Sequence, residues 1–192
     1  MRLFVAIEIS EPVAANTLSL IARLQSTAAG LAPQARVTWV TGDRLHITVQ
    51  FIGHVDEAKA DAIRSALASP LPITPFDLTV AGVGTFPPRG NPRVVWAGLT
   101  GGRDRLITVG RLVGERLAAA GVAAEERPYN PHLTLARVRD AAGLRAQALV
   151  ARAGDIDLGT TRVDAITLFE SRLSPKNPEY VALQRVGFDA GL

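Results

Sequence analysis

The sequence predicts an α+β fold of two similar lobes that share a cleft. Three observations point there. A strand-like pattern, His-apolar-Thr-apolar, occurs twice, at His46-Ile47-Thr48-Val49 and at His132-Leu133-Thr134-Leu135. The two copies lie 86 positions apart in a chain of 192 residues, close to half its length. A predicted helix precedes and follows each copy, and no linker is long enough to separate the halves. One compact unit over 1–192 is expected, with a repeat strand in each lobe and the first or last strands free to cross over.

Taken in order, Arg2 to Ile9 reads as a central strand from its β-branched and aromatic content. Ser10-Glu11-Pro12 opens a helix, with Ser as cap and Pro in the first turn. Its inward stripe is Val13, Thr17, Leu20, Ile21, Leu24 and Ala28, and Gly30 ends it. Val37–Val40 is a short strand joined by the turn Thr41-Gly42-Asp43 to the first repeat strand, and the two are expected to pair as a hairpin. A helix over 56–68 faces inward with Ile63 and Leu67, and Ser69-Pro70-Leu71-Pro72 breaks it. Phe76–Ala81 alternates as a strand. Gly82 to Pro92 reads as a surface connection, or as a lip with Arg89 and Arg93 available to phosphates. After the strand Val94–Leu99, a helix over 104–120 carries Leu106, Val109, Leu112, Val113 and Leu117 on one stripe, and Gly121 stops it. Beyond the second repeat strand come a helix over 141–151 and strands over 163–169 and 180–186.

Composition narrows the function. The hydrophobic fraction of 47% supports a folded interior, and 20% charged residues fit a globular protein. Net charge is only +3, with Arg far outnumbering Lys, which permits a local basic cleft without demanding a nucleic acid. There is no Cys, so thiolate metal sites and disulfides are excluded. No apolar run reaches the length of about 20 residues that a membrane span needs. Neither a signal-peptide core nor a membrane partner is expected, and cytoplasm is the default.

In a strand, residues two apart share a face. His46 and Thr48 therefore point one way and Ile47 and Val49 the other, and the second copy repeats this with His132 and Thr134 against Leu133 and Leu135. Two imidazoles across a cleft can serve as general base and general acid near neutrality. Hydroxyls beside them can hold non-bridging oxygens, a combination that suits phosphodiester chemistry. Two His could also bind zinc, but catalytic zinc takes three protein ligands and neither strand supplies a third, so no metal or other cofactor is expected. Neither a nucleophile elbow nor a phosphate-cradling Gly-rich loop with Lys is present. His54, without a Thr partner, reads as a surface or capping residue.

These motifs, with Arg2-Leu3-Phe4-Val5-Ala6-Ile7, Trp39-Val40, Phe86-Pro87, Pro92-Arg93-Val94-Val95-Trp96 and Leu168-Phe169-Glu170-Ser171-Arg172-Leu173, make the chain resemble the 2H phosphoesterase superfamily. Within it, the chain is similar to the RNA 2′,3′-cyclic phosphodiesterases, also called 2′-5′ RNA ligases. The resemblance implies a bilobal α+β fold, two pseudo-symmetric lobes each with an antiparallel sheet and flanking helices around a central cleft. It implies metal-independent hydrolysis of 2′,3′-cyclic phosphate ends to 2′-phosphomonoesters, on RNA ends or nucleotides; a monomer is expected. By similarity, His46 is the general acid, His132 the general base, and Thr48, Thr134 and Arg137 bind the phosphate. Phe51 is a candidate for base stacking, with core packing as its alternative. Strict alternation puts Phe51 and Arg137 on the faces opposite the His-Thr pairs, so they reach the cleft only where a strand twists, bulges or ends. The chain departs from the family in Ser174-Pro175-Lys176-Asn177-Pro178, where Asn177 stands at a frequent Gly position and Asn tolerates the left-handed conformation. Joining of RNA through a 2′-5′ bond at the same site, or binding of RNA ends without turnover, are the alternatives.

Overall fold

The computed structural model describes residues 1–125, 128–172 and 179–189. The elements are β1 (Arg2–Glu8), α1 (Glu11–Leu31), β2 (Arg36–Trp39), β3 (His46–His54), α2 (Glu57–Ala66), β4 (Phe76–Phe86), β5 (Val94–Gly101), α3 (Arg103–Ala119), β6 (Leu133–Asp140), α4 (Ala146–Ala153), β7 (Asp157–Val163), β8 (Ala165–Arg172) and β9 (Glu179–Gly187). All strand pairings within the sheet are antiparallel, in the order β7-β4-β5-β6-β3-β1-β8-β9, with β2 on the free side of β6.

The sheet is two halves joined at one place. β3 and β6 share a single registered pair, Ile47 with Leu133. Outward from it run β3-β1-β8-β9 on one side and β6-β5-β4-β7 on the other. α3 packs on β3 with α2 beside it, and α1 and α4 pack together against β7 and β4. Each lobe is thus four or five antiparallel strands backed by two helices.

The chain crosses between lobes repeatedly. β1 lies in one lobe while α1, which follows it, packs on the other; β5 and α3 mirror this. The last strands, β8 and β9, return to the lobe of β1 and β3. β1 is central as expected, with Leu3, Val5 and Ile7 at most 1% exposed. The helix stripes behave as their spacing dictates: the buried residues of α1 are Val13, Thr17, Leu20, Ile21, Leu24 and Ala28. In α3, Leu106, Val109, Val113 and Leu117 are buried, and Leu112 is partly so.

Several local expectations fail. The short strand β2 does not form a hairpin with β3: Val37, Thr38 and Trp39 pair with Val138, Arg137 and Ala136 of β6. A 3₁₀ turn, Gly42–Arg44, redirects the chain between them, and β6 offers an unpaired edge once β3 has left it. Phe76–Ala81 does not stop at Gly82. The strand runs on to Phe86, with a bulge where Gly82 takes φ +72°, a conformation favourable to Gly. β7 has no counterpart among the expected strands, and the fourth helix starts five residues later than its periodicity predicts. Ser10 sits at the cap position of α1 but makes no capping bond. Its hydroxyl meets Thr161 Oγ1 at 3.2 Å and so ties the helix start to β7. The segment Ser174–Pro178, with Asn177, lies outside the described residues.

Candidate active site

The site is built on the β3–β6 junction. Ile47 and Leu133, both fully buried, face the core. Their neighbours in sequence therefore face the open side. Continuing the antiparallel register one residue each way sets His46 beside Thr134 and Thr48 beside His132. All four are partly buried. His46 and His132 are then diagonal neighbours, residues of that kind lying roughly 7–8 Å apart, a gap suited to one tetrahedral anion.

Both rings are held in the same way. His46 Nδ1 lies 2.8 Å from the carbonyl oxygen of Arg44, and His132 Nδ1 lies 2.8 Å from that of Asn130. A carbonyl only accepts, so each Nδ1 carries the proton. The neutral tautomer leaves each Nε2 with a free lone pair.

Each imidazole also sits against two aromatic rings. Tyr180 meets His46 edge-on at 5.2 Å and 82°, and Phe4 lies 5.0 Å away. Phe86 meets His132 edge-on at 5.2 Å and 81°, with Trp96 at 6.3 Å. Trp96 is laid flat along the sheet because Gly84, its partner on β4, has no side chain: a Cβ there would fall 2.2 Å from the indole. The rings exclude water, and that desolvation is the largest cause holding both histidines below the ordinary value of 6.5. The carbonyl bonds oppose the shift, while the Arg137 guanidinium adds to it at both rings.

Arg137 therefore faces the cleft, and a bulge explains how. Ala136 is registered with Val95 and Thr134 with Trp96, so Leu135 and Ala136 together oppose one residue of β5. Both are fully buried. The extra residue resets the alternation, and Arg137 emerges on the face of Thr134. β3 does the same: Gln50 is registered with Val5 and Thr48 with Ala6, so Val49 and Gln50 together oppose Val5. Phe51 then pairs with Phe4, their ring centroids 6.4 Å apart, and is 59% exposed. Phe51 is not a core residue.

The junction thus brings together His46, Thr48, Phe51, His132, Thr134 and Arg137. Along the open face they are ordered Arg137, then His46 with Thr134, then His132 with Thr48, then Phe51. A pocket of about 210 Å³ opens beside His46, lined by Glu8, Asp43, Leu45, Phe169 and Tyr180 among others. Tyr129 braces the junction from the approach to β6: its hydroxyl donates to the Thr48 carbonyl at 2.9 Å, its ring packs on Gly110, and burial pushes its hydroxyl well above the ordinary range. His54 is exposed at the end of β3, away from the site. Among the described residues there is no group of three or more His, Cys, Asp or Glu arranged to hold a metal ion.

The aromatic walls were missed by sequence reasoning as site components. Phe4 could have been found, since it shares strand parity with the open face of β1. Tyr180 gives no such signal, because its place depends on β9 folding back beside β8.

Comparison with known proteins places the chain in a family. The curated RNA 2′,3′-cyclic phosphodiesterase of Thermotoga maritima is 32% identical over 195 residues, spanning all of this chain and 98% of that protein. The one from Aeropyrum pernix is 36% identical over 148 residues, 77% of this chain and 84% of that protein. The crystal structure of a phosphoesterase superposes with a TM-score of 0.75 at 26% identity, covering 97% of both chains. The model of the 2′-5′ RNA ligase superfamily matches residues 11–174. The chain belongs to the 2′-5′ RNA ligase superfamily, the 2H phosphoesterases.

Proposed function

We propose that the whole chain works as one bilobal RNA 2′,3′-cyclic phosphodiesterase, opening the cyclic ester to a 2′-phosphomonoester without a metal. The observation that supports this is the pair of imidazoles set on either side of the β3–β6 junction, each with Nδ1 tied to a backbone carbonyl and Nε2 left free to exchange a proton. His132, neutral, takes a proton from water as that water attacks phosphorus. The P–O3′ bond breaks, and His46, protonated, delivers its Nε2 proton to the departing O3′. Burial and Arg137 disfavour imidazolium before substrate binds, and the negative charge of a bound phosphodiester opposes that shift. Thr48 and Thr134 donate to the non-bridging oxygens, Arg137 pairs with their charge, and Phe51 stacks on the base.

The test is incubation with a 2′,3′-cyclic mononucleotide in EDTA. Formation of the 2′-phosphomonoester is expected. The 3′-isomer as product would reverse the assignment of the leaving oxygen, and dependence on added metal would remove the two-histidine mechanism. RNA joining needs only a 5′-hydroxyl in place of water, and products from paired RNA halves would reveal it.

A further inference from the structure

Beyond Arg137 the open face continues into a tract of further arginines. After Val138, which packs on the core, Arg139 and Asp140 together oppose Arg36 of β2, a second bulge in β6. Arg36, Arg137 and Arg139 are all exposed, and Val37 and Trp39, packed on the core, turn Arg36 to the open side. Arg137 and Arg139 form no ion pair or hydrogen bond among the described residues. Among the described residues Arg36 is held only by Asp140, at 3.5 Å with both side chains largely in solvent, which is a weak tie. Three cations against one carboxylate is a local concentration in a chain whose net charge is +3.

The position of this tract matters. It lies at the His46 end of the site, and Phe51 lies at the other. In a ribose, C1′ bears the base and is bonded to C2′, while C4′ bears the 5′ carbon and is bonded to C3′. From a 2′,3′-cyclic phosphate the base and the 5′ chain therefore leave in opposite directions. If the base lies over Phe51 and O3′ faces His46, the 5′ chain is aimed along β6 toward Arg139 and Arg36. Residues two apart on a strand are spaced by about 6.6 Å, comparable with successive phosphates of a polynucleotide. We infer that Arg139 and Arg36 form a subsite for the phosphates 5′ of the terminal nucleotide. This rests on the phosphodiesterase reading, whose base and leaving-oxygen assignments set the direction.

The test compares a 2′,3′-cyclic mononucleotide with a short RNA ending in the same cyclic nucleotide. Arg139→Ala and Arg36→Ala are each expected to lower kcat/KM for the RNA about threefold to fivefold at low salt, as for exposed ion pairs. The slope of log kcat/KM against log salt should become shallower by about 0.7 for each phosphate that is no longer neutralised. Mononucleotide turnover should be unchanged, as should both substrates in the control Arg162→Ala, on β7. Asp140→Asn, which frees Arg36 and keeps the acceptor for the Ala142 amide, should raise RNA turnover. Equal effects on both substrates, or none on the RNA, overturn the subsite. Fluorescence anisotropy with the labelled RNA separates the two readings. Binding that depends on Arg139 without hydrolysis defeats the phosphodiesterase and leaves the subsite standing; hydrolysis with binding indifferent to Arg139 and Arg36 does the reverse.

Discussion

β3 and β6 are the same device built twice, and on the open face they differ at one position. Each places a His and a Thr on the open face, ties the His ring to the carbonyl two residues earlier, and then bulges over two inward residues. The residue after the bulge returns to the cleft. In β3 it is Phe51 and in β6 it is Arg137. The shared backbone produces two equivalent imidazoles, which would treat either end of a phosphodiester alike. The unlike pair breaks that equivalence, one end of the cleft offering a ring face and the other a guanidinium. Under the proposed function, a substrate with a base on one side and a charge on the other would have one favourable orientation, and acid and base would acquire distinct roles from it.

The largest expected effect tests the equivalent half of the comparison. His46→Ala and His132→Ala should each reduce turnover of a 2′,3′-cyclic nucleotide by about 10²–10⁴-fold with the circular dichroism spectrum retained. Full activity in either variant would break the pairing. Arg137→Ala should cost about 10²-fold in kcat/KM. Because Arg137 holds both histidines down, its loss should also move both limbs of the kcat/KM pH profile to higher pH. A shift of one limb only would mean that Arg137 serves a single imidazole. Phe51→Ala removes a stacking surface worth about 1–3 kcal/mol. It should raise KM with little change in kcat, and thermal stability should hold because the ring is exposed. A fall in stability instead would restore core packing as its role. The smallest effect concerns the brace: Tyr129→Phe deletes one hydrogen bond and should lower unfolding free energy by about 0.5–1.5 kcal/mol in a denaturant titration.

Much of the site was readable from residue spacing, because a strand's two-residue period is a local property. His46 with Thr48, and His132 with Thr134, needed no tertiary information to share a face. The same rule placed Phe51 and Arg137 on the wrong side. It fails there because a bulge is an event between strands: the extra residue exists only relative to β1 or β5, and neither register is written in β3 or β6 alone. The expected hairpin failed for a related reason. Nearness in sequence favoured pairing of β2 with β3, but β6 presents an open edge from Ala136 onward and takes β2 instead. Helix stripes transferred well, since Leu20, Leu24, Val109 and Val113 are sorted by helical period before any partner is chosen.

By itself, then, the sequence determined the elements, their buried faces and the chemistry of the repeated motif, all of which depend on neighbours within a few residues. Only the tertiary structure decided that the repeats meet at Ile47 and Leu133 and which rings dry the imidazoles. The same packing brought Phe51 and Arg137 into the cleft. Those outcomes arise from interactions between segments far apart in the chain, whose register is set by packing of the whole sheet.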